Sequence, residues 1–304
     1  MLDDLVRPKF STPAVAPGAL DGRIAVVTGA SSGIGFSIAR ALARGGARVV
    51  LAVRSEERGG AAMQQLEREV PSGRFELELV DTSSLSSVRI GARAIASKHP
   101  QLHVLVNNAG TWSFYRRESV DGIELTWATN HLGPFLFTAL LAPQLVAAKH
   151  ARVVNVASGL AHSLDLDDVE FRTRPYTGLA AYAQTKQANR MWTRALARRF
   201  AGSGVTANAM HPGFVNTGQF ARGGGWQSSV ASLGARLVGR PAEVGADSAV
   251  WLAGSDEVAG TTGRFVRNRK DMTDQYADEA NEERLYALCA RMAGIEDLQA
   301  KRVA

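Results

Sequence analysis

The 304-residue chain is long enough for one large domain or two small ones, and its 45% hydrophobic and 21% charged residues are ordinary for a soluble globular protein. The formal charge is +6, but the basic residues form no run of about five, which argues against nucleic-acid binding. The sequence contains no apolar run of about 18 residues, so no membrane-spanning helix is predicted. The single cysteine, Cys289, excludes an internal disulfide and favours a cytoplasmic, reducing location.

Residues 1–20 contain three prolines and two early aspartates, and they predict an extended lead-in rather than a signal peptide or an anchor. The chain then alternates a strand at 24–27, a glycine turn, a helix at 34–44 and a strand at 47–53, which is a βαβ unit. The alternation continues with predicted helices at 63–70, 87–99, 124–149 and 180–201, and predicted strands at 74–81, 102–110, 151–158 and 205–213.

This alternation predicts an α/β fold in which a single Rossmann-type, doubly wound parallel sheet carries helices on both faces. No break in composition divides residues 21–270, so we expect one dinucleotide-binding and catalytic domain there. Residues 162–179 are polar and irregular, and the Gly- and Ser-rich segment 218–240 is typical of a lid. Residues 271–304 are expected to form a C-terminal helical tail.

The segment "TGASSGIG" places Gly29, Gly33 and Gly35 between the first strand and the first helix. Glycines at this place allow a tight turn and a close approach of the backbone to a pyrophosphate, which the helix N-terminus attracts. A purely structural turn is the alternative, because the spacing is GxxxGxG rather than the commoner GxGxxG. The predicted cofactor contacts in this segment are Gly29, Ser31, Ser32, Gly33, Ile34 and Gly35.

The end of the second strand reads "LAVRSEER" and places Arg54 where NAD-selective proteins carry an acidic residue. A guanidinium suits a 2′-phosphate, so the sequence favours NADP, with NAD as the other possibility. Glu56 is close enough in sequence to blur this preference, and the alternative role for Arg54 is a solvated loop charge.

Two further strand ends contribute polar groups. Asp81, in "LVDTSS", can accept a hydrogen bond from the adenine amino group or cap the next helix. The asparagines of "VNNAG" can tie strand ends together, and the two small residues that follow leave room for the adenosine half, although a plain turn is equally compatible. The predicted cofactor contacts here are Asp81, Thr82, Asn108, Ala109 and Gly110.

Tyr182 and Lys186 lie four residues apart in the helix predicted at 180–201, so their side chains share one face. An isolated YxxxK pair usually consists of two surface residues without a catalytic role. Here Ser158 ends the strand "ARVVNVAS", Asn130 lies in the preceding helical region, and "HPGFVNT" (211–217) follows the next strand.

The motifs "TGASSGIG", "NNAG", "YAQTK" and "HPGFVNT" occur in one order with Asn130 and Ser158, and in this the chain resembles the classical short-chain dehydrogenases/reductases over residues 20–270. The "VNVAS" strand and the long gap from Ser158 to Tyr182 are most similar to the retinol-dehydrogenase-like branch. The resemblance implies that Tyr182 is the general acid and base, and that Lys186 lowers the pKa of Tyr182 and holds the nicotinamide ribose.

By the same resemblance, Ser158 orients the substrate oxygen and Asn130 fixes a water that links Lys186 to solvent. The residues expected beside the carboxamide are Pro212, Gly213, Val215 and Thr217. Tyr176 and His162 are predicted to be loop residues without a role in the chemistry, and we predict no metal site.

Aromatic residues follow "NNAG" and flank the predicted lid, namely Trp112, Phe114, Tyr115, Phe214, Phe220 and Trp226. They favour a small lipophilic carbonyl or alcohol substrate, although core packing explains any single one. The hypothesis is an NADP-dependent oxidoreductase. The alternatives are a catalytically silent dinucleotide sensor or scaffold and an NAD-linked alcohol dehydrogenase. The helices at 124–149 and 180–201 are those that the family pairs into homodimers or homotetramers.

Overall fold

The computed structural model describes residues 13–213, 215 and 241–296. Its centre is a single eight-stranded sheet with the order β3-β2-β1-β4-β5-β6-β7-β8, in which every pairing is parallel except that of β7 with β8. The strands are β1 Ile24–Thr28, β2 Arg48–Val53, β3 Arg74–Leu79, β4 Val104–Asn107, β5 Arg152–Val156, β6 Thr206–Met210, β7 Phe265–Arg267 and β8 Lys270–Asp271. The predicted fold class is confirmed.

Helices cover both faces of this sheet. They are α1 Gly33–Arg44, α2 Glu56–Glu69, α3 Leu85–Lys98, α4 Leu125–Trp127, α5 Gly133–Ala147, α6 Gly178–Arg199, α7 Ala242–Gly254 and α8 Glu279–Ala293, with a π-helix at Ala128–Leu132 and a 3₁₀ turn at Asp256–Val258. The region 124–149 was expected to be one helix, and it is instead a short α-helix, a π-helix and a longer α-helix. A π-helix widens the turn and so changes which side chains face a neighbour.

Successive strand residues point to opposite faces, and this divides the core into two clusters. Val26 of β1 packs with α3, α5, α6 and α8, while Ala25 and Val27 pack with α1, α2 and α7. Side chains on both faces are therefore buried, which explains why the central strands are nearly continuous apolar runs.

The sheet order reverses beside β1, because the chain first adds β2 and β3 on one side and then β4 to β7 on the other. A crevice forms at the carboxyl ends of the strands where such a reversal occurs, and open α/β proteins bind ligands there. The ends of β1 and β4 define this position in the chain.

The C-terminal helix α8 is part of the core. Leu285, Tyr286 and Cys289 are fully buried in the cluster that also contains Phe135 of α5 and Trp192 of α6. Cys289 packs in this cluster, and burial raises the pKa of its thiol. Among the described helices, none is both long enough and apolar enough to cross a membrane.

Ion pairs join α8 and the segment before it to α6. The Glu282 carboxylate, which is almost fully buried, lies 2.5 Å from Arg194 Nε and 2.5 Å from Arg198 Nη1. Arg190 donates to Asp274 at 2.6 Å, and its guanidinium stacks 3.9 Å from the centroid of the Phe265 ring. The helix that carries Tyr182 and Lys186 is therefore held along its second half by the C-terminal segment.

Candidate active site

The glycine turn takes the backbone shape that its sequence predicts. Gly29 and Gly33 have φ values of +68° and +59°, a region that favours glycine. A Cβ on Gly35 would lie 2.5 Å from both the Gly29 carbonyl oxygen and Asn108 Nδ2, so a side chain there would force the turn apart. The Ser32 side chain at the N-cap of α1 forms no capping hydrogen bond, and the first N–H groups of a helix such as this one attract anions.

Side-chain hydrogen bonds tie the strand ends around this turn together. Asn108 Nδ2 donates to the Thr28 carbonyl at 2.9 Å, and the backbone N–H groups of Asn108 and Ala109 both donate to Thr28 Oγ1 at 2.9 Å. Asn107 Nδ2 donates to Asn155 Oδ1 at 2.9 Å and so joins β4 to β5. Thr28 was missing from the sequence prediction, although its place directly before the first glycine of the turn could have indicated it.

Two arginines stand at the end of β2. Arg54 follows the strand and Arg58 lies one helical turn later, and both exposed side chains line the cleft. Between them, Ser55 caps α2 by accepting a hydrogen bond from the Arg58 N–H. Glu56 is not among the residues that line the cleft. Arg58 was not predicted; it lies in the first turn of α2, four residues after Arg54.

Asp81 does not cap α3. Its Oδ1 accepts from the Ser83 N–H at 2.9 Å and from Ser83 Oγ at 2.7 Å, which closes a local turn, while Ser84 is the N-cap of the helix. The capping alternative for Asp81 is therefore wrong. Asp81 lines the cleft, and its second carboxylate oxygen has no hydrogen bond to another described residue.

Tyr182, Ser158 and Lys186 meet at the other end of the cleft. The Tyr182 hydroxyl is close enough to the Ser158 side chain for Ser158 to lower its pKa, and Ser158 Oγ accepts a hydrogen bond from the Leu160 N–H at 3.0 Å. Lys186 Nζ lies 5.4 Å from the centroid of the Tyr182 ring and donates to the Val156 carbonyl at 2.9 Å. The phenol, the hydroxyl and the ammonium thus surround the carboxyl end of β5.

The pKa values of this group differ from the expectation. Burial lowers the pKa of Lys186 from 10.5 to about 8. Burial also raises the pKa of Tyr182, and the hydrogen bond from Ser158 opposes that rise. The expected lowering of the Tyr182 pKa by Lys186 is therefore wrong for the ligand-free protein, because the ammonium is directed at a backbone carbonyl instead of the phenol oxygen.

Asn130 occupies the π-helix and holds the loop that follows β4. Its Oδ1 accepts from the Thr111 N–H at 2.6 Å and its Nδ2 donates to the Thr111 carbonyl at 3.0 Å. Its own carbonyl accepts from Asn189 Nδ2 at 3.0 Å, and Asn189 Oδ1 lies 2.7 Å from His131 Nδ1. Burial lowers the pKa of His131 to about 4, so this histidine is neutral at physiological pH.

The cleft gathers most of the predicted residues. All the predicted cofactor contacts from Gly29 to Gly110 line it except Gly33, and Tyr182, Lys186 and Pro212 join them. Asn130 and Ser158 are buried and are not among the residues that line the cleft. Val215 is a core residue, since a Cβ on Gly245 would lie 2.5 Å from its Cγ2.

Other predicted residues have a different place. Gly213 does not line the cleft, and its φ of +80° marks a turn after β6. Thr217 and the predicted lid at 218–240, together with Phe214, Phe220 and Trp226, lie outside the described residues.

Aromatic side chains flank Tyr182. The rings of Trp112 and Tyr182 are 5.0 Å apart between centroids and tilted by 36°, and Phe114 meets Trp112 edge-on at 6.5 Å. Tyr115 is 67% exposed. Tyr176 is a loop residue, as predicted. It donates to the Ser113 carbonyl at 3.1 Å, and burial together with Glu124 raises its pKa to about 12.

Comparisons with known proteins agree with this geometry. The family model for short chain dehydrogenases matches residues 23–226. The chain belongs to the short-chain dehydrogenase family. It is 36% identical to human retinol dehydrogenase 13 over 286 residues, which cover 91% of this chain and 86% of that protein. It is 40% identical to human dehydrogenase/reductase SDR family member 13 over 290 residues, which cover 93% and 76%.

Solved structures of the family superpose on the chain. An uncharacterized protein from Mycobacterium paratuberculosis matches with a TM-score of 0.75 at 31% identity, over 94% of this chain and 99% of that one. A protein from Beutenbergia cavernae, described as an NAD(P)-dependent gluconate 5-dehydrogenase with bound NADP, matches with a TM-score of 0.65 at 29% identity, over 83% and 96%. The chain is thus a short-chain dehydrogenase of the retinol-dehydrogenase-like branch, an oxidoreductase that acts on CH–OH groups with NAD(P).

Proposed function

We propose that this protein is an NADP-dependent oxidoreductase that interconverts a lipophilic carbonyl compound and its alcohol, with Tyr182 as the general acid and base. The observation that carries the proposal is the position of Tyr182, beside the Ser158 side chain and Lys186, at the end of a cleft that begins at the glycine turn. Two neighbouring hydroxyl groups can bind the same substrate oxygen.

In the reducing direction, Tyr182 donates its proton to the carbonyl oxygen as that oxygen gains negative charge, and Ser158 holds the same oxygen in position. The nicotinamide cofactor supplies the hydride when it is bound. Lys186 is buried with a lowered pKa, and an anionic or hydroxyl-rich ligand beside it favours its charged form. A charged Lys186 would in turn make the phenol of Tyr182 a stronger acid.

The cleft fits a dinucleotide phosphate ester. The N-terminus of α1 attracts anions, and Ser31, Ser32, Ile34 and Gly35 at this end of the helix line the cleft. In the described part of the chain, the guanidinium groups of Arg54 and Arg58 have no carboxylate partner within ion-pair distance, although both line the cleft. Two guanidiniums without a carboxylate partner match a 2′-phosphate in charge, and this supports NADP over NAD.

The surroundings of Tyr182 support a lipophilic substrate. Trp112 and Phe114 form an aromatic wall on one side. Leu160 and Leu179 are 47% and 46% exposed, and both lie within a few residues of the predicted catalytic hydroxyl groups. Exposed leucines beside a polar reaction centre are consistent with an apolar substrate body that leaves only its oxygen at Tyr182.

Cofactor preference is tested by calorimetric titration of the protein with NADPH and NADH. Arg54→Ala and Arg58→Ala are each expected to reduce the preference for NADPH, and a tenfold change corresponds to about 1.4 kcal/mol. Arg68→Ala is the matched control, because Arg68 is exposed on the same helix and does not line the cleft. A wild-type protein that binds NADH as tightly as NADPH contradicts the cofactor assignment.

Catalysis is tested by following NADPH oxidation with a panel of apolar aldehydes and ketones. Tyr182→Phe is expected to lower turnover by at least about a hundredfold while it leaves NADPH binding intact, because only the proton donor is lost. Tyr115→Phe removes an exposed hydroxyl from the neighbouring loop and should have no effect. Equal turnover by wild type and Tyr182→Phe would exclude Tyr182 as the acid.

We also propose that residues 21–270 form the catalytic domain and that the protein works in the cytoplasm, where its buried, unpaired Cys289 stays reduced. A homodimer or homotetramer that uses α5 and α6 has to accommodate α8, because Leu285 and Tyr286 pack against both helices.

A further inference from the structure

A third arginine lines the cleft without a partner. The Arg117 side chain is exposed to the cleft, and within the described ranges its guanidinium forms no hydrogen bond or ion pair. Its neighbour Arg116 differs in this respect, since it donates to the Glu170 carbonyl at 3.0 Å and to Glu118 Oε1 at 2.9 Å. Of these two adjacent arginines on one loop, Arg116 is therefore hydrogen-bonded within the protein and Arg117 is not.

The backbone that carries Arg117 is firmly held. Its carbonyl accepts from the Leu125 N–H at 2.8 Å, and Glu118 pairs with Glu124 in an antiparallel bridge. Asp121, at the tip of this hairpin, accepts from the Leu85 N–H at 2.8 Å. The hairpin is thereby tied to the first residue of α3, and the base of the Arg117 side chain is fixed while the guanidinium is free to bind.

This tie decides which half of a dinucleotide Arg117 faces. Helix α3 begins just after Asp81 and Thr82, at the end of β3 on the outer side of the sheet, and Tyr182 and Lys186 lie at the far end of the cleft. The hairpin also leads into α4 and α5, which cover the face opposite to α1. Arg117 therefore approaches the adenosine end of the cleft from the wall that faces the glycine turn.

The two glutamates of its own hairpin are engaged elsewhere, whereas the Asp81 carboxylate lines the same cleft without an ion pair to Arg117. Glu118 is paired with Arg116, and the buried Glu124 accepts from the Thr126 and Trp127 N–H groups. An unpaired guanidinium beside an anion-binding turn gains by contact with phosphate, because the contact replaces only water.

We propose that Arg117 binds a phosphate group of the adenosine half of the dinucleotide and closes the cleft from the side opposite the glycine turn. The inference rests on the proposed dinucleotide site, but it does not depend on the choice between NADP and NAD. Arg117 would act with Arg54 and Arg58 as the third arginine around the adenosine half of the cofactor.

The test is the dissociation constant of NADPH, NADH, 5′-ADP, 2′,5′-ADP and nicotinamide mononucleotide, measured for wild type and Arg117→Gln at low and high salt. Arg117→Gln is expected to raise the dissociation constants of NADPH and 2′,5′-ADP by about fivefold or more at low salt. The increase should be smaller in about 0.5 M NaCl, because salt screens exposed charge pairs. Nicotinamide mononucleotide should bind both proteins equally.

The arms of the titration separate the possible phosphate groups. Equal losses for NADPH and NADH assign Arg117 to the pyrophosphate, whereas a loss for NADPH alone assigns it to the 2′-phosphate. Arg116→Gln removes the same charge from the same loop and should change each constant by less than about twofold. Thermal unfolding of both variants shows that the loop is intact.

Equal affinities of wild type and Arg117→Gln for every ligand would overturn the proposal, and so would equal losses in Arg116→Gln and Arg117→Gln. If the wild type prefers NADH and Arg117→Gln lowers the affinity for NADH, the inference about Arg117 holds and the NADP-dependent function is rejected. A wild type that binds neither dinucleotide rejects both.

Discussion

Replacing Lys186 by methionine is expected to stabilise the ligand-free protein at pH 7, although it removes the ammonium that the proposed reaction needs. Lys186 is 4% exposed, and burial lowers its pKa from 10.5 to about 8. At about 1.4 kcal/mol for each pH unit, the folded protein pays about 3 kcal/mol to keep this side chain charged. The hydrogen bond to the Val156 carbonyl offsets about 1 kcal/mol. Methionine fills a similar volume, so the expected net gain is about 2 kcal/mol.

The sign of the pH dependence follows from the lowered pKa. Below about pH 8 both the folded and the unfolded states are protonated at Lys186, and the whole destabilisation is present. Between about 8 and 10.5 the folded state loses this proton first, so the unfolded state binds more protons and the wild type gains stability as the pH rises. Lys186→Met lacks this gain.

Urea unfolding of wild type and Lys186→Met at pH 7 and pH 10.5 measures the difference. The variant should be more stable by about 2 kcal/mol at pH 7, and its advantage should vanish at pH 10.5. Lys270→Met, at an exposed position of β8, should match the wild type at both pH values. A Lys186→Met protein that is less stable than wild type at pH 7, with a difference independent of pH, would refute the reasoning.

Three further changes test the packing and the site. Glu282→Ala should cost about 1–3 kcal/mol in urea unfolding, because Arg194 and Arg198 each lose one carboxylate partner but keep Asp274 and Glu283; a loss below about 0.5 kcal/mol would mean that water replaces the lost ion pairs. Gly35→Ala should destabilise the protein by about 1–3 kcal/mol and weaken NADPH binding, since its new Cβ would lie 2.5 Å from two atoms of the turn region. Gly60→Ala is the matched control, because nothing lies within 4 Å of its new Cβ and alanine favours a helix. Trp112→Ala removes the ring that packs 5.0 Å from Tyr182 and should raise the activity on branched ketones relative to unbranched aldehydes. An unchanged ratio of the two activities would show that Trp112 is not part of the substrate wall.

The local parts of the fold followed from local sequence. Strand β1, the glycine turn and α1 occupy consecutive residues, and their hydrophobic periods and glycines specify them without help from distant parts of the chain. The shared face of Tyr182 and Lys186 is equally local, because residues four apart in a helix always lie on one side.

Properties that depend on distant neighbours were missed or predicted wrongly. The pKa of Tyr182 is raised rather than lowered, because burial disfavours the phenolate, and the Lys186 ammonium donates to the Val156 carbonyl at the end of β5. The Asn130 side chain holds Thr111, nineteen residues away, and this contact exists only once the π-helix packs against the loop after β4. Neither partner can be inferred from its own neighbours in the sequence.

The sequence by itself determined that the chain is a parallel α/β sheet protein with a dinucleotide turn, a Tyr–Lys helix and the order of motifs of its family. Those features depend on periodicity, on backbone freedom and on spacing within single elements. The tertiary structure alone decided that Arg58 and Arg117 line the cleft, that the ammonium of Lys186 is directed at a carbonyl, and that α8 completes the core. Burial and charge pairing arise from residues far apart in the chain, and only folding brings such residues within reach of one another.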